Sequence, residues 1–135
     1  MKDESWIICV IDRSGSMHAV LEDAIGDYNS FLEVQKGEPG AALWTLVLFN
    51  DEYAVIERNV PIVAAQALDR KSYVPEGSTA LLDTVGRTIE DVGKTLSDLP
   101  EHERPNRVLV AILTDGMENA SRHYAAERVA QMIAH

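Results

Sequence analysis

The amino-acid sequence predicts an α/β fold built on one mostly parallel sheet, and three observations carry that prediction. Short β-branched apolar runs at 6–11, 42–49 and 108–113 alternate with longer stretches of helical periodicity. Two of these runs, 6–11 and 108–113, are apolar throughout, as strands covered on both faces are. Clusters of Gly, Pro, Asn, Asp and Ser punctuate the junctions.

The elements follow in order. A first strand is expected over 5–11 and a helix over 18–35, where Leu21, Ala24, Ile25, Tyr28, Phe31 and Leu32 recur at helical spacing. Gly37-Glu38-Pro39-Gly40 ends that helix. A second strand covers 42–49. Asn50-Asp51-Glu52 is too short to cross a sheet, so the third strand, 53–57, must return antiparallel at an edge. A short helical piece is expected over 64–68, then a loop with Pro75 and Gly77. A longer helix over 80–97 turns Leu81, Leu82, Val85, Ile89, Val92 and Leu96 inward. The charged connector 101–105 leads to a fourth strand, 108–113, and a last helix is expected from near Ser121 to the end. The sum is a single domain, 1–135, with a three-layer α/β/α, doubly wound architecture and strand order 3-2-1-4, strand 3 antiparallel.

Composition narrows the function. A chain of 135 residues, 46% of them apolar, is long enough to bury a core. Twelve basic against 22 acidic residues give a net charge of −10, which repels nucleic-acid phosphates and suits a cation. No apolar run is long enough for a membrane span and the charged start lacks a signal-peptide pattern, so the expectation is a cytoplasmic protein without a membrane partner. Cys9, the single cysteine, lies inside an apolar strand and reads as a small buried hydrophobe.

The chemistry concentrates at strand ends. Ligands of open parallel sheets bind outside the carboxyl ends of the strands. Three segments should meet there: Asp12-Arg13-Ser14-Gly15-Ser16, Glu76-Gly77-Ser78-Thr79-Ala80-Leu81, and Thr114-Asp115-Gly116. Strands 1 and 4 are neighbours in this order, so Asp12 and Asp115 would sit side by side. Two close carboxylates need a cation or a proton between them. Hydroxyl and carboxylate oxygens suit a hard divalent ion, Mg²⁺ above all, with Mn²⁺ or Ca²⁺ also compatible. Gly15 is expected to let the chain turn between two ligands and Gly77 to let it pass close to the ion.

Asp-x-Ser-x-Ser after an apolar strand, Gly-Ser-Thr-Ala-Leu at 77–81 and Leu-Thr-Asp-Gly at 113–116 together resemble a von Willebrand factor type A domain, a Rossmann-like fold. The resemblance implies a metal-ion-dependent adhesion site held by Asp12, Ser14, Ser16, Thr79 and Asp115. It further implies that the serines and the threonine touch the ion while the aspartates act through water, and that a carboxylate of a partner protein completes the coordination. The family's fold has six strands in the order 3-2-1-4-5-6. Here nothing matches the last two, which leaves the apolar fourth strand as a free edge, so the expectation is either that two copies pair through or near that strand as a homodimer or that the chain is a truncated piece of a longer parent.

Each residue also has a plainer reading. Asp12 could be a turn residue, Ser14 and Ser16 could cap the first helix, and Thr79 could cap the helix at 80. Arg13 is expected to point to solvent, where it could steer an acidic partner. Glu118 and Asn119 are expected at a solvated helix entrance, and Trp6 and Trp44 in the core. His18 is a poor zinc ligand without companions, and His102, His123 and His135 are expected at the surface. The competing function is a Mg²⁺-dependent phosphatase or hydrolase with Asp12 as nucleophile, although Ser14 stands where such enzymes carry a second aspartate.

Overall fold

The computed structural model describes residues 2–114. The last expected helix, Asp115, Glu118, Asn119, His123 and His135 lie outside them. Four strands form one mixed sheet: β1 Lys2–Asp12, β2 Ala41–Phe49, β3 Tyr53–Pro61 and β4 Pro105–Leu113. Their order is β3-β2-β1-β4, with β1 parallel to both β2 and β4, and β3 antiparallel to β2. The expected order and the antiparallel edge hairpin are both present.

Alternation along β1 splits the apolar residues between two faces. Ile7, Cys9 and Ile11 join α1 (Leu21–Gly37) through Ala24, Tyr28 and Leu32 in one buried cluster. Trp6, Ile8 and Val10 join Val47 and Phe49 in the other, with Leu81, Val92 and Leu96 of α2 (Leu81–Ser97) packed against them. Both tryptophans are core residues, as expected. The Trp44 indole donates to the Tyr28 hydroxyl at 3.0 Å, so its polar atom is not stranded in the interior.

Several elements differ from expectation, each for a local reason. The chain after β1 does not enter the α-helix directly. A 3₁₀ segment, Gly15–Val20, precedes α1 and carries the buried Met17 inward. β3 runs past residue 57 to Pro61 because irregular pairing with β2 absorbs the polar residues. Asn59 takes a left-handed conformation (φ 48°), donates its N–H to Thr45 Oγ1 at 2.9 Å and accepts from that hydroxyl at 3.1 Å. Proline is tolerable at the end of an edge strand.

The helical piece expected over 64–68 is instead one 3₁₀ turn, Ile62–Ala64, followed by chain without regular structure. Ile62, Ala65 and Leu68 are all buried. Their three-residue spacing is close to a helical period, but a 3₁₀ turn and polyproline-like backbone also repeat every three residues. Ala65, at φ −64° and ψ 137°, has the polyproline-like conformation. Side-chain bonds replace the missing helix: Asn29 brackets Leu68 through both its donor and its acceptor, and Lys36 donates to the Ala65 carbonyl. No helix among the described residues is long and apolar enough to cross a membrane.

Candidate metal centre

β1 ends in Asp12, a carboxylate with no exposed surface. Its Oδ1 accepts the Ser14 backbone N–H at 2.7 Å, which bends the chain out of the strand in an Asx turn. Its Oδ2 accepts the Thr114 hydroxyl at 2.8 Å, which ties the end of β4 to the end of β1. The turn reading of Asp12 is therefore correct as far as it goes, and the expected meeting of the β1 and β4 ends is seen at Thr114. The Asp12 carbonyl accepts the hydroxyl of the buried Tyr73.

Ser14 occupies the N-cap position of the 3₁₀ segment but makes no side-chain cap bond. Its hydroxyl lies 3.2 Å from the Ser16 hydroxyl instead. Adjacent ligands of an octahedral Mg²⁺ are separated by about 3 Å, given bonds of about 2.1 Å. The pair thus has the spacing that two neighbouring ligands need.

Thr79 is buried and stands one residue before the N-cap position of α2, which is Ala80, with the helix starting at Leu81. Backbone bonds fix the segment that carries Thr79 against the β1 loop. Glu76 N–H donates to the Arg13 carbonyl at 2.7 Å, and Gly15 N–H donates to the Gly77 carbonyl at 2.8 Å. The third strut is Asn50, whose importance sequence reasoning missed. Its side-chain amide donates to the Glu76 carbonyl at 2.9 Å, its Oδ1 accepts from Glu52 N–H at 2.8 Å, and its backbone carbonyl accepts Ala80 N–H at 2.9 Å. An Asn opening a hairpin turn signals only the turn; its bonds to a loop 26 residues away leave no trace in local sequence.

The two glycines differ in how strictly the backbone requires them. Gly77 has φ +78°, and a Cβ there would lie 2.6 Å from Asp51 Oδ1 and 3.2 Å from Asn50 Nδ2. Its left-handed backbone and the β2–β3 turn beside it both disfavour a side chain at this position. Gly15 is not in the left-handed region, and a Cβ on it would rest 3.4 Å from the Gly77 carbonyl.

Arg13 also departs from expectation. Rather than pointing freely to solvent, its side chain is 19% exposed, and its Nη1 lies 3.5 Å from Glu76 Oε1. His18 is exposed, and so is His102, as expected for the latter.

Asp12, Ser14 and Ser16 therefore converge, and the segment bearing Thr79 is stitched to them; Asp115 lies outside the described residues. Among the described residues no group of three or more His, Cys, Asp or Glu forms a metal cluster. The candidate donor set is of another kind, dominated by neutral hydroxyls. Such a set fits a hard, oxygen-seeking cation and not a soft or imidazole-preferring one.

No family model matches the chain, and no curated protein matches it. Among solved structures, proximal thread matrix protein 1 from the mussel byssus is similar over 98% of this chain, with a TM-score of 0.58 at 17% identity. The chain spans 33% of the length of that protein. At this identity the likeness shows the fold, an α/β domain on a mixed four-stranded sheet in the order 3-2-1-4.

Proposed function

We propose that the chain is a von Willebrand factor type A domain of three-layer, doubly wound architecture that binds a partner protein through a divalent metal ion. Asp12, Ser14, Ser16, Thr79 and Asp115 would hold Mg²⁺, and Mn²⁺ or Ca²⁺ are also compatible. The metal would supply a Lewis-acidic point of attachment for an Asp or Glu carboxylate of the partner. The observation that carries this reading is the pair of serine hydroxyls 3.2 Å apart, beside a fully buried aspartate at the carboxyl edge of the sheet.

The chain's own residues set the character of the site. Asp12 holds the loop in shape through Ser14 N–H and Thr114, so its charge is shared with protein donors. The hydroxyls offer oxygen without adding negative charge. A cation so held keeps its demand for an outside anion. The same facts weigh against Asp12 as a phosphatase nucleophile, because its carboxylate is buried and both oxygens are engaged. In this reading the chain is a binding module and not an enzyme. It resides in the cytoplasm and pairs with a second copy through the β4 edge.

The test is a crystal soaked in Mn²⁺, with anomalous density sought beside Ser14, Ser16 and Thr79, together with Mn²⁺ titration of wild type and Ser14→Ala/Ser16→Ala. Density at that place and loss of binding in the double variant support the proposal. Absence of a retained ion at millimolar supply, on the order of weak natural sites, overturns it. Turnover of p-nitrophenyl phosphate with Mg²⁺ would favour the hydrolase instead.

A further inference from the structure

Arg13 stands between two candidate ligands, and its environment is unusual. Its backbone is pinned on both sides: N–H to the Phe49 carbonyl at 2.7 Å, and carbonyl to Glu76 N–H at 2.7 Å. The backbone at Arg13 therefore cannot move without breaking a bond to the end of β2. Its Nε is buried and has no hydrogen-bond partner among the described residues. Its only ion-pair contact among them, to Glu76, is 3.5 Å long and made to a carboxylate that is 67% exposed. Such a pair is screened by water and contributes little. A buried guanidinium donor left unfilled costs free energy, and buried polar groups in native proteins are as a rule paired.

We infer that Arg13 is a specificity-determining residue of the metal site, which disfavours the bare cation and clasps the carboxylate that arrives with the partner. This rests on the metal-dependent reading given above. A positive charge carried between two candidate-ligand positions would oppose cation binding, and Glu76 offsets that charge only in part. An incoming carboxylate reverses the balance: one oxygen meets the metal while the guanidinium offers its fork to the group. Metal and acid then bind cooperatively, each weak alone. The partner chemistry that fits is an Asp or Glu side chain, not a neutral oxygen donor such as an amide.

The experiment measures Mn²⁺ affinity by electron paramagnetic resonance, with and without sodium acetate at constant ionic strength, for wild type, Arg13→Gln, Arg13→Lys and Glu76→Gln. Acetate should tighten Mn²⁺ binding to wild type. Arg13→Gln should bind Mn²⁺ more tightly than wild type, on the order of threefold or more, and lose the acetate effect. Arg13→Lys, which keeps the charge without the fork, should retain weak Mn²⁺ binding and show a smaller acetate effect. Glu76→Gln should weaken Mn²⁺ binding. Unchanged or weaker Mn²⁺ binding in Arg13→Gln, or an intact acetate effect, overturns the inference while the metal site stands. If Arg13→Gln does not fold, Glu76→Gln decides, and unaltered affinity there overturns it. A wild type that binds no Mn²⁺ overturns both this inference and the reading beneath it.

Discussion

β1 and β4 are adjacent parallel strands of nearly the same chemistry, and they meet opposite fates. Trp6, Ile8 and Val10 pair in register with Val108, Val110 and Ile112, on the same face of the sheet. The first three are 5, 4 and 0% exposed; the second three are 37, 37 and 41% exposed. α2 and β2 supply cover for β1, and among the described residues nothing supplies it for that row of β4. The opposite face of β4 fares better, since Leu109, Ala111 and Leu113 pack against the α1 cluster. An apolar run thus states a demand for burial. Whether the demand is met depends on what the rest of the fold places over it.

That contrast can be broken by paired substitutions. Ile8→Ala should cost about 3 kcal/mol, the usual loss for an aliphatic side chain cut away from a closed core, whereas Ile112→Ala should cost about 1 kcal/mol or less. Urea denaturation of both variants checks this, and equal losses would mean that β4 is covered in solution. The same experiment repeated at rising protein concentration sharpens the point, because cover by a second copy makes the Ile112 loss grow with concentration.

A smaller effect on stability is expected from Val110→Lys, within ~0.5 kcal/mol for an exposed edge position. Its effect on association should be decisive. Light scattering should give a dimer for wild type and a monomer for the variant, since a lysine on an edge strand blocks edge-to-edge pairing. A wild type that remains monomeric at high concentration removes the proposed dimer.

The thiol of Cys9 and the methyl group of its β4 partner, Ala111, extend the contrast to reactivity. Burial raises the Cys9 pKa from 9.0 to about 12. The unfolded chain loses this proton at lower pH than the folded one, so folding is favoured below pH 9 and the advantage falls away between pH 9 and about 12. Burial raises the Tyr28 hydroxyl in the same direction. Cys9→Ala should therefore flatten part of the alkaline decline in stability and not all of it. At neutral pH, iodoacetamide should leave native Cys9 unmodified and label a Cys9→Ala/Ala111→Cys variant faster.

What the sequence made legible follows from range. The antiparallel edge and the two long helices rest on the length of a single turn and on local periodicity, and these are present, as is the strand order of a doubly wound sheet. Asp12, Ser14 and Ser16 lie within five residues of one another, so their convergence needed only the strand end that precedes them. The struts could not be read in this way. Tyr73 reaches Asp12 across 61 positions and Asn50 reaches Glu76 across 26, through ordinary polar side chains with no repeating pattern. The crowding at Gly77 was hidden for the same reason: it comes from Asp51 and Asn50, on a different turn.

The long connection between the first 3₁₀ turn after β3 and α2 lacks regular structure, yet it is anchored at both ends. Asn29, Lys36 and Tyr73 fix its first part, and Asn50 with the Arg13–Gly15 backbone fixes its last. Between those moorings the bend Asp69–Ser72 is exposed and closed on itself, with Asp69 accepting from Lys71 and Ser72 N–H. Its tie to α1 is the exposed ion pair of Arg70 with Glu22. A fluorophore or affinity tag spliced between Arg70 and Lys71 would sit at an exposed bend off the sheet, which makes this bend a natural handle on the fold.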